Sequence, residues 1–372
     1  MLTLFRIASR TSDRHIASGE LPLPRSPASI CRLATGRSAL LHLIGRLPRP
    51  HAKTVLLPCY VAEGVIQPFR VAEFTVLFYR LKADLTPETS DIENLLAQAS
   101  GVAVVVLIHY FGFSARSTEL DSLLERLRPV VVDDLAHAPF ALARSGASLV
   151  ENMQIVLYSL NKFLPVVDGA VLASNRPDID VTTDEIALTE LPQPAQQAYR
   201  AHLEAARDVF ESGDPAQVRI LLRQLESHYE SYYSAINSDL RPFRQSEDSR
   251  RLEAATAYDE LIERRSLNTR MLYDGLRRGP ISLVHATLPP SVVPFCVPAR
   301  VPPERRRAIL DALFERGVLL STLQAKWDFI PSHRRSEFRV ESAFLDEHVL
   351  IPVSEFIAPE SMQDMVAQLN GL

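Results

Sequence analysis

The stretch RPVVVDDLAHAPF, residues 128–140, decides the fold class of this chain. Three consecutive valines lead into Asp133 and Asp134, without any alternation of apolar and polar residues. A continuous β-branched run is typical of a strand buried on both faces of a parallel sheet, because helices then cover both faces. Open α/β sheets bind ligands at the carboxyl ends of such strands. The stretch therefore predicts an α/β protein with a polar site where this strand ends.

Further apolar runs of this kind alternate with helical periodicity along the first half of the chain. Between two of them, Ser117–Arg128 places its leucines on one helical stripe, and Ser117 or Thr118 can cap the helix. This alternation predicts helices packed against a largely parallel sheet. The predicted strands are Thr54–Leu57, Phe74–Tyr79, Val102–His109, Pro129–Asp133, Ile155–Ser159 and Ala170–Ser174.

The strand signal stops near residue 178 and returns only in the last ninety residues or so. The predicted later helices are Pro194–Phe210, Pro215–Ile236, Asp248–Leu276, Pro303–Arg316 and Pro359–Leu369. The predicted later strands are Val292–Val297, Val318–Ser321 and Val349–Val353. The segment SDLRPFRQ, residues 238–245, breaks the helical periodicity. We therefore expect an N-terminal arm over residues 1–30, a large α/β domain over 31–240 and a smaller domain over 241–372.

Composition narrows the class of protein. The chain has 372 residues, of which 47% are hydrophobic and 23% charged, with a net charge of −5, so a disordered chain and a nucleic-acid partner are not expected. Three cysteines lie far apart without a CxxC pair, which predicts neither disulfides nor a metal site and favours the cytoplasm. The longest apolar run is too short to cross a bilayer. The N-terminus resembles no signal peptide, although its Arg and Ser content is also that of a transit peptide.

Lys162 is the first residue that can carry chemistry. It follows a predicted strand in YSLNKFLPVVDGAVL, residues 158–172, and is flanked by Leu160 and Phe163. A lysine among apolar neighbours loses hydration, which frees its amine to act as a nucleophile. An exposed loop lysine is the alternative interpretation.

Asp134 and His137 form a second candidate pair. A carboxylate at the tip of a buried strand can hold a proton on a heteroaromatic nitrogen, and a histidine three residues later can reach the same ligand. The alternative is a helix-capping aspartate with a histidine in the core. The aromatic segment HYFGF, residues 109–113, also ends a predicted strand, where aromatic residues usually belong to the core.

The segment ATGRSALLHLI, residues 34–44, is a candidate phosphate-binding loop. Gly36 allows close backbone approach, Arg37 adds a charged donor, and Ser38 precedes a helical apolar run. Free N–H groups and the helix dipole at this N-terminus favour an anion, although simple helix capping gives the same pattern. A phosphate loop, a strand-end acid and a strand-end lysine, in that order, meet the requirements of pyridoxal 5′-phosphate.

At these residues the sequence resembles the DegT/StrS family of fold-type-I, pyridoxal-phosphate-dependent aminotransferases, many of which act on nucleotide-linked keto-sugars. The resemblance runs from about residue 34 to the C-terminus. The matching segments are TGRSAL (35–40, the family's SGTxAL loop), VLIHYFGF (106–113, a strand ending in H-x-Y-G), VVVDDLAHA (130–138, EDxAHA or EDxAQA), SLNKFLPVVDGAVL (159–172, the Schiff-base lysine segment) and HVLIPVSEFIAPESMQDMVAQL (348–369, the terminal strand and helix).

The resemblance implies a large domain with a mainly parallel seven-stranded sheet, a smaller C-terminal α+β domain, and a homodimer with shared active sites. It implies an amino donor, L-glutamate by analogy, and a small-molecule keto acceptor, with the cofactor alternating between its pyridoxal (PLP) and pyridoxamine (PMP) forms. The roles it implies are Schiff base and proton shuttle for Lys162, pairing with the pyridine nitrogen for Asp134, contact with the ring oxygen for His137, phosphate binding for Gly36, Arg37, Ser38 and Ser159, and stacking on the cofactor ring for Tyr60.

The sequence also departs from the family pattern. Arg37 stands where the family has threonine, Leu157 replaces a serine, and Ala170 replaces the last glycine of DGG. The usual N-x-R-M segment is missing, and the helical region 190–240 takes its place. Two alternatives therefore stay open: a pyridoxal-phosphate enzyme that acts on a non-sugar substrate, and a non-catalytic binding protein. Lys162 argues against the dehydratase branch, which has histidine there, and no GxGxxG follows a strand as a dehydrogenase would require.

Overall fold

The structure, a computed structural model, describes Leu21 and residues 27–48, 53–99, 103–140, 153–183, 187–323 and 328–372. Within these residues, the chain forms a seven-stranded sheet with the strand order β1-β7-β6-β5-β4-β2-β3. Its strands are β1 (Ser29–Leu33), β2 (Thr54–Pro58), β3 (Thr75–Tyr79), β4 (Ala103–Ile108), β5 (Val130–Asp134), β6 (Ile155–Ser159) and β7 (Ala170–Ser174). Strands β2 to β7 lie within one or two residues of their predicted positions.

The directions of the strands bring several strand ends to one edge of the sheet. Strands β3, β2, β4, β5 and β6 are parallel neighbours, whereas β7 lies antiparallel between β6 and β1. Since β7 opposes both of its neighbours, β1 runs parallel to β6, and Leu33 and Ser159 both face Ala170 in the register. The carboxyl ends of β1, β2, β4, β5 and β6 therefore share the edge where α/β sheets bind ligands.

Helices cover the sheet as the periodicity predicts. In the helix Thr118–Leu127, the Ser117 side chain accepts a hydrogen bond from the Leu120 N–H, and the leucine stripe is buried. The described helices of eight or more residues are α1 (Gly36–Ile44), α2 (Glu63–Val71), α3 (Thr89–Gln98), α4 (Thr118–Leu127), α5 (Gln193–Glu211), α6 (Pro215–Asn237), α7 (Glu247–Ala254), α8 (Tyr258–Gly275), α9 (Pro303–Glu315), α10 (Arg339–Glu347) and α11 (Pro359–Asn370). No helix in the described part of the chain is long and apolar enough to span a membrane.

A second, antiparallel sheet lies in the C-terminal part, with the order β10-β9-β8. Its strands are β8 (Ser282–Leu283), β9 (Val297–Arg300) and β10 (His348–Ile351), and α9 and α11 bury their apolar faces with it in a core of its own. The predicted fold class, a mainly parallel seven-stranded sheet followed by smaller α+β structure, is confirmed. Helix α8 contributes Leu261 to the large core and Leu272 to the small one, so the boundary placed near residue 240 stays a prediction.

Four predictions about elements are wrong or incomplete. The predicted strand Val318–Ser321 forms only an isolated bridge from Ser321 to Leu350, and the helix predicted over 248–276 is two helices, α7 and α8. Strand β1, which begins within the expected arm, has no counterpart among the predicted strands; the arm otherwise lies outside the described residues, apart from Leu21 and residues 27–30.

The fourth error is the strand predicted over residues 292–297, of which only Val297 belongs to a strand. The segment instead packs against the turn after β4, where the Phe295 N–H donates to the Phe111 carbonyl at 2.8 Å. Gly112 has a φ of 105°, and a Cβ built there would lie 2.6 Å from the Pro294 Cα. This contact of backbone with backbone needs a glycine.

Gly112→Ala is therefore expected to lower the free energy of unfolding by about 3 kcal/mol, because it adds overlap to left-handed strain. Gly317→Ala is the matched control: its φ is 81°, but a Cβ there meets nothing within 4 Å, so we expect a loss of only about 1 kcal/mol. Urea unfolding of both variants measures the difference. Equal losses would show that the contact with Pro294 carries no weight.

Candidate active site

Two predicted site residues lie at the ends of neighbouring strands. Asp134 is the last residue of β5, and Lys162 ends the 3-10 turn Leu160–Lys162 that follows β6. In the register, Asp134 pairs with Leu157 of β6. The sheet thus brings a carboxylate and an amine to one edge from segments that are separated along the chain.

Asp134 is buried, and the Ala136 N–H donates to its Oδ1 at 2.9 Å. Burial raises the pKa of the Asp134 carboxyl above its usual value, and the positive charge of Lys162 is the strongest effect that opposes this rise. The two side chains are therefore close enough to interact electrostatically. A carboxylate in this setting gains from any further positive charge placed beside it.

The loop that carries Lys162 is held from several sides, while Lys162 itself is half-buried. The Leu160 N–H donates to the Gly169 carbonyl at 2.8 Å, and the Tyr199 hydroxyl of α5 donates to the Asn161 carbonyl at 3.1 Å. The buried Phe163 ring packs edge-on against Phe295 at 5.4 Å. Because its neighbours are fixed, the position of the lysine backbone is defined by the fold.

His137 lies in a stack of three rings. Its imidazole is almost parallel to Phe111, at 5.4 Å between centroids, and to Phe295, at 4.9 Å. Phe111 reaches this position through a left-handed backbone with a φ of 57°. The sequence predicts Phe111 as a core aromatic residue, and no motif in the sequence points to Phe295.

The predicted phosphate loop begins α1 at the same edge. Thr35 caps the helix by accepting the Ser38 N–H at 3.0 Å, and the Ser38 hydroxyl accepts from the Thr35 hydroxyl at 3.1 Å and from the Phe243 N–H at 3.3 Å. The Ala34 N–H in turn donates to the Phe243 carbonyl at 2.8 Å. A Cβ on Gly36 would meet Leu157 at an ordinary 3.8 Å. The segment around Phe243 thus lies directly beside the loop.

Arg37 points from the first turn of α1 towards α6. Its Nη1 donates to the Asn237 side-chain oxygen, and its guanidinium lies 5.7 Å from the centroid of the Tyr233 ring. Burial lowers the pKa of Arg37, although neighbouring groups, Tyr233 and Glu63 among them, act in the opposite direction. The helices α5 and α6, which the sequence places where the family motif is missing, therefore contact the loop of Lys162 and the predicted phosphate loop.

Ser159 and Tyr60, the two remaining predicted residues, have the following contacts. The Ser159 hydroxyl donates to Asn161 Oδ1 at 3.0 Å, next to Lys162. Tyr60 is fully buried, and its ring packs on Tyr110 at 5.4 Å and on Phe344 of α10 at 5.2 Å. The described aromatic contacts of His137 are with Phe111 and Phe295 and not with Tyr60. The stacking of Tyr60 on the cofactor ring therefore stays a prediction.

Asp133, the neighbour of Asp134, has a different environment. Arg116 donates two hydrogen bonds to its carboxylate, from Nε to Oδ1 at 2.8 Å and from Nη2 to Oδ2 at 2.7 Å. His109 Nε2 lies 3.0 Å from the same Oδ1. Although burial opposes ionisation, the charge and hydrogen bonds of Arg116 hold the pKa of Asp133 below its usual 3.8. The contacts tie up Asp133 within the protein, whereas the hydrogen bond from Ala136 engages one oxygen of Asp134.

Arg116→Met is expected to cost about 3 kcal/mol of unfolding free energy at pH 7, because it leaves a buried carboxylate without its charged partner. Since the folded-state pKa of Asp133 is depressed, this stabilisation is complete above pH 3.8 and is lost as the pH falls through the folded-state pKa. The gap between the variant and the unmodified protein should therefore narrow in acid. Arg126→Met, which removes an exposed pair with Glu93, is the control and should change stability by under about 1 kcal/mol. Chemical denaturation across pH measures both; a gap that does not depend on pH would contradict this account.

Comparison with known proteins relates this arrangement to solved structures. No protein-family model matches the sequence, and no curated protein matches it. Solved structures match over most of the chain, among them DesV of S. venezuelae in complex with a ketimine intermediate, with 15% identity, coverage of 97% of this chain and 91% of that one, and a TM-score of 0.62.

A putative sugar aminotransferase of Streptococcus pneumoniae in its PMP form matches with 13% identity, coverage of 92% and 87%, and a TM-score of 0.64. A DegT DnrJ EryC1 StrS aminotransferase of Brucella abortus matches with 12% identity, coverage of 92% and 85%, and a TM-score of 0.61. The chain has the fold of these aminotransferases. The resemblance to the DegT/StrS family is thus confirmed in the fold, and the aminotransferase fold extends over both sheets of the chain.

Proposed function

We propose that this protein is a pyridoxal-5′-phosphate-dependent aminotransferase. The observation that carries the proposal is the meeting of Asp134, Lys162 and the N-terminus of α1 at one edge of the sheet. These groups fit the cofactor. A buried carboxylate suits a protonated ring nitrogen, a half-buried amine suits an aldehyde, and a helix N-terminus with a buried arginine suits a phosphate.

When bound, the cofactor supplies an electron sink that stabilises negative charge on the carbon next to the amino group being transferred. Lys162 would hold the aldehyde and move a proton to and from that carbon, in line with its place beside Asp134. Asp134 would keep a proton on the pyridine nitrogen, because its buried carboxylate is stabilised by positive charge. His137, held parallel between two phenylalanine rings, would orient the cofactor through its ring oxygen.

We further propose L-glutamate as the amino donor, a nucleotide-linked keto-sugar as the acceptor, a homodimer with shared active sites, and the cytoplasm as the location. The family resemblance supports the donor, the acceptor and the dimer, and the solved putative sugar aminotransferase of Streptococcus pneumoniae supports a sugar as the acceptor. Three free, buried cysteines are consistent with a reducing compartment.

A keto acceptor that is not a sugar is the second candidate. It is favoured by α5 and α6, which contact the site where the sequence lacks the family's N-x-R-M segment. Steady-state assays with keto-sugar nucleotides and with simple 2-keto acids distinguish the two acceptors. A non-catalytic binding protein is the remaining alternative, and exchange of the bound cofactor with amino donors would exclude it.

The near-visible absorption spectrum of the purified protein tests the proposal. Reduction with borohydride should remove a band and leave a pyridoxyl mass on the peptide that contains Lys162. Lys53 is a natural internal control, because it is exposed at the opposite end of β2, away from the site. No band after incubation with the cofactor, or a label on Lys53 alone, would overturn the proposed function.

A further inference from the structure

Arg37 is a buried cation whose surroundings do not neutralise it. Only 7% of the surface of Arg37 is exposed. Its Nη1 donates a hydrogen bond to the side-chain oxygen of Asn237. Its Nε and Nη2 are also buried, and among the described residues neither has a hydrogen-bond acceptor. No described carboxylate forms an ion pair with it; Glu63, the acidic residue that attracts it, is exposed.

Among the described residues, three other arginines with buried side chains have carboxylate or carbonyl partners for their charge. Arg116 pairs with Asp133, and Glu355 Oε2 lies 2.7 Å from Arg265 Nε. The Nη2 of Arg265 lacks a hydrogen-bond acceptor among the described residues, as that of Arg37 does, but a carboxylate balances the charge of Arg265. Arg306 donates to two carbonyls at the end of α10. A buried charge without such partners is expensive, so a fold that keeps Arg37 in this state needs a reason beyond packing.

The position of Arg37 favours an anion. It lies in the first turn of α1, and a Cβ built on Gly64, in the first turn of α2, would lie 3.7 Å from its Nη2. The free N–H groups of both helix N-termini attract negative charge, and the planar fork of arginine matches the oxygens of a phosphoryl group. The first turn of α2 thus lies beside the two guanidinium nitrogens of Arg37 that have no acceptor among the described residues.

We propose that Asn237 and Tyr233, at the end of α6, hold Arg37 in place as a receptor for a phosphoryl group. The neutral amide of Asn237 orients the guanidinium by a hydrogen bond without cancelling its charge, and the Tyr233 ring supports it through a cation–π contact. Asn237 is thus a positioning residue that acts through Arg37. Where the phosphoryl group is that of the cofactor, the inference rests on the proposed function; a phosphate of the acceptor offers the same chemistry.

Asn237→Asp tests this role with two effects of opposite sign. The variant keeps the size of the side chain but turns the hydrogen bond into an ion pair that neutralises Arg37. We expect a higher melting temperature without ligand and at least a tenfold weaker affinity for pyridoxal 5′-phosphate, with unchanged affinity for pyridoxal, which lacks the phosphate. Absorption titrations and thermal unfolding measure these quantities. Asn94→Asp, which adds the same charge at an exposed position of α3, should change neither.

Arg37→Met provides the second variant, and pyrophosphate the second probe. Loss of selectivity for pyridoxal 5′-phosphate over pyridoxal assigns the receptor to the cofactor, whereas loss of thermal protection by pyrophosphate alone assigns it to an acceptor phosphate; both support the inference. If the protein binds no cofactor but pyrophosphate protects it through Arg37, the proposed function fails and the receptor stands. Unchanged binding of both probes in both variants, or an equal loss of pyridoxal and its phosphate with lower stability, would overturn the inference.

Discussion

Lys162→Ala should abolish amino transfer while the protein stays folded. The side chain is half-buried at the end of a 3-10 turn, and the buried Leu160 and Phe163 beside it hold the turn in place. Removing the amine takes away both the attachment for the aldehyde and the proton carrier. We therefore expect the rate of the half-reaction with the amino donor to fall by on the order of 10³-fold or more.

Single-turnover absorption changes after addition of L-glutamate measure this rate, and circular dichroism with thermal unfolding checks the fold. Lys53→Ala is the matched control. It removes an exposed lysine from the amino end of β2 and should react as fast as the unmodified protein. Ordinary turnover by Lys162→Ala would remove the central residue of the proposed mechanism.

Asp134→Asn should slow the same half-reaction by about 10²-fold, because a neutral amide no longer stabilises positive charge on the ring nitrogen. The carboxylate accepts a backbone N–H from Ala136, and an amide oxygen can keep that hydrogen bond. The loss should therefore appear in the rate constant and hardly in the stability. Rapid-mixing absorption measurements with saturating amino donor give the rate constant.

Asp133→Asn is a sharp control, since it makes the same change one residue earlier on the same strand. Asp133 is bound by Arg116 and His109, so this variant should lose stability and keep its half-reaction rate per folded molecule. If instead Asp134→Asn reacts at the ordinary rate, another group protonates the ring. If the two variants behave alike, the difference between the carboxylates drawn from their contacts is wrong.

The central strands were predictable because burial on both faces leaves a continuous apolar run in the sequence. The segment 292–296 carries the same apolar signal, since Val293 and Phe295 are buried, but its partner is a turn near residue 111 rather than a strand. An apolar pattern predicts that a segment is buried, but it does not predict which element packs against that segment. Strand β1 is the opposite case, a strand without the apolar signal. Its alternate residues Ile30 and Arg32 are more exposed, so the sequence shows no continuous apolar run there.

Some residues of the candidate site were likewise predictable from the sequence, and others were not. Lys162, Asp134 and the loop around Gly36 follow or precede buried elements, so their place at one edge followed from the sequence and the resemblance. Phe295 and Asn237 contact site residues far away in the chain, His137 and Arg37. Such contacts leave no spacing or motif, so only the folded chain reveals them.

The antiparallel strand β7 has a consequence for the order in which the protein assembles. Strand β1 pairs with β7, and Leu33 lies opposite Ala170 in the register. Strand β1 can therefore join the sheet only after residue 170 has been synthesised. During synthesis from the N-terminus, helix α1 therefore cannot present its first turn at the site until the lysine loop has been made. Phe243 and Phe295 arrive later still and complete the surroundings of Ser38 and His137. A nascent chain without Phe243 and Phe295 contains all the chemical groups of the site, but it lacks the residues that hold Ser38 and His137 in position.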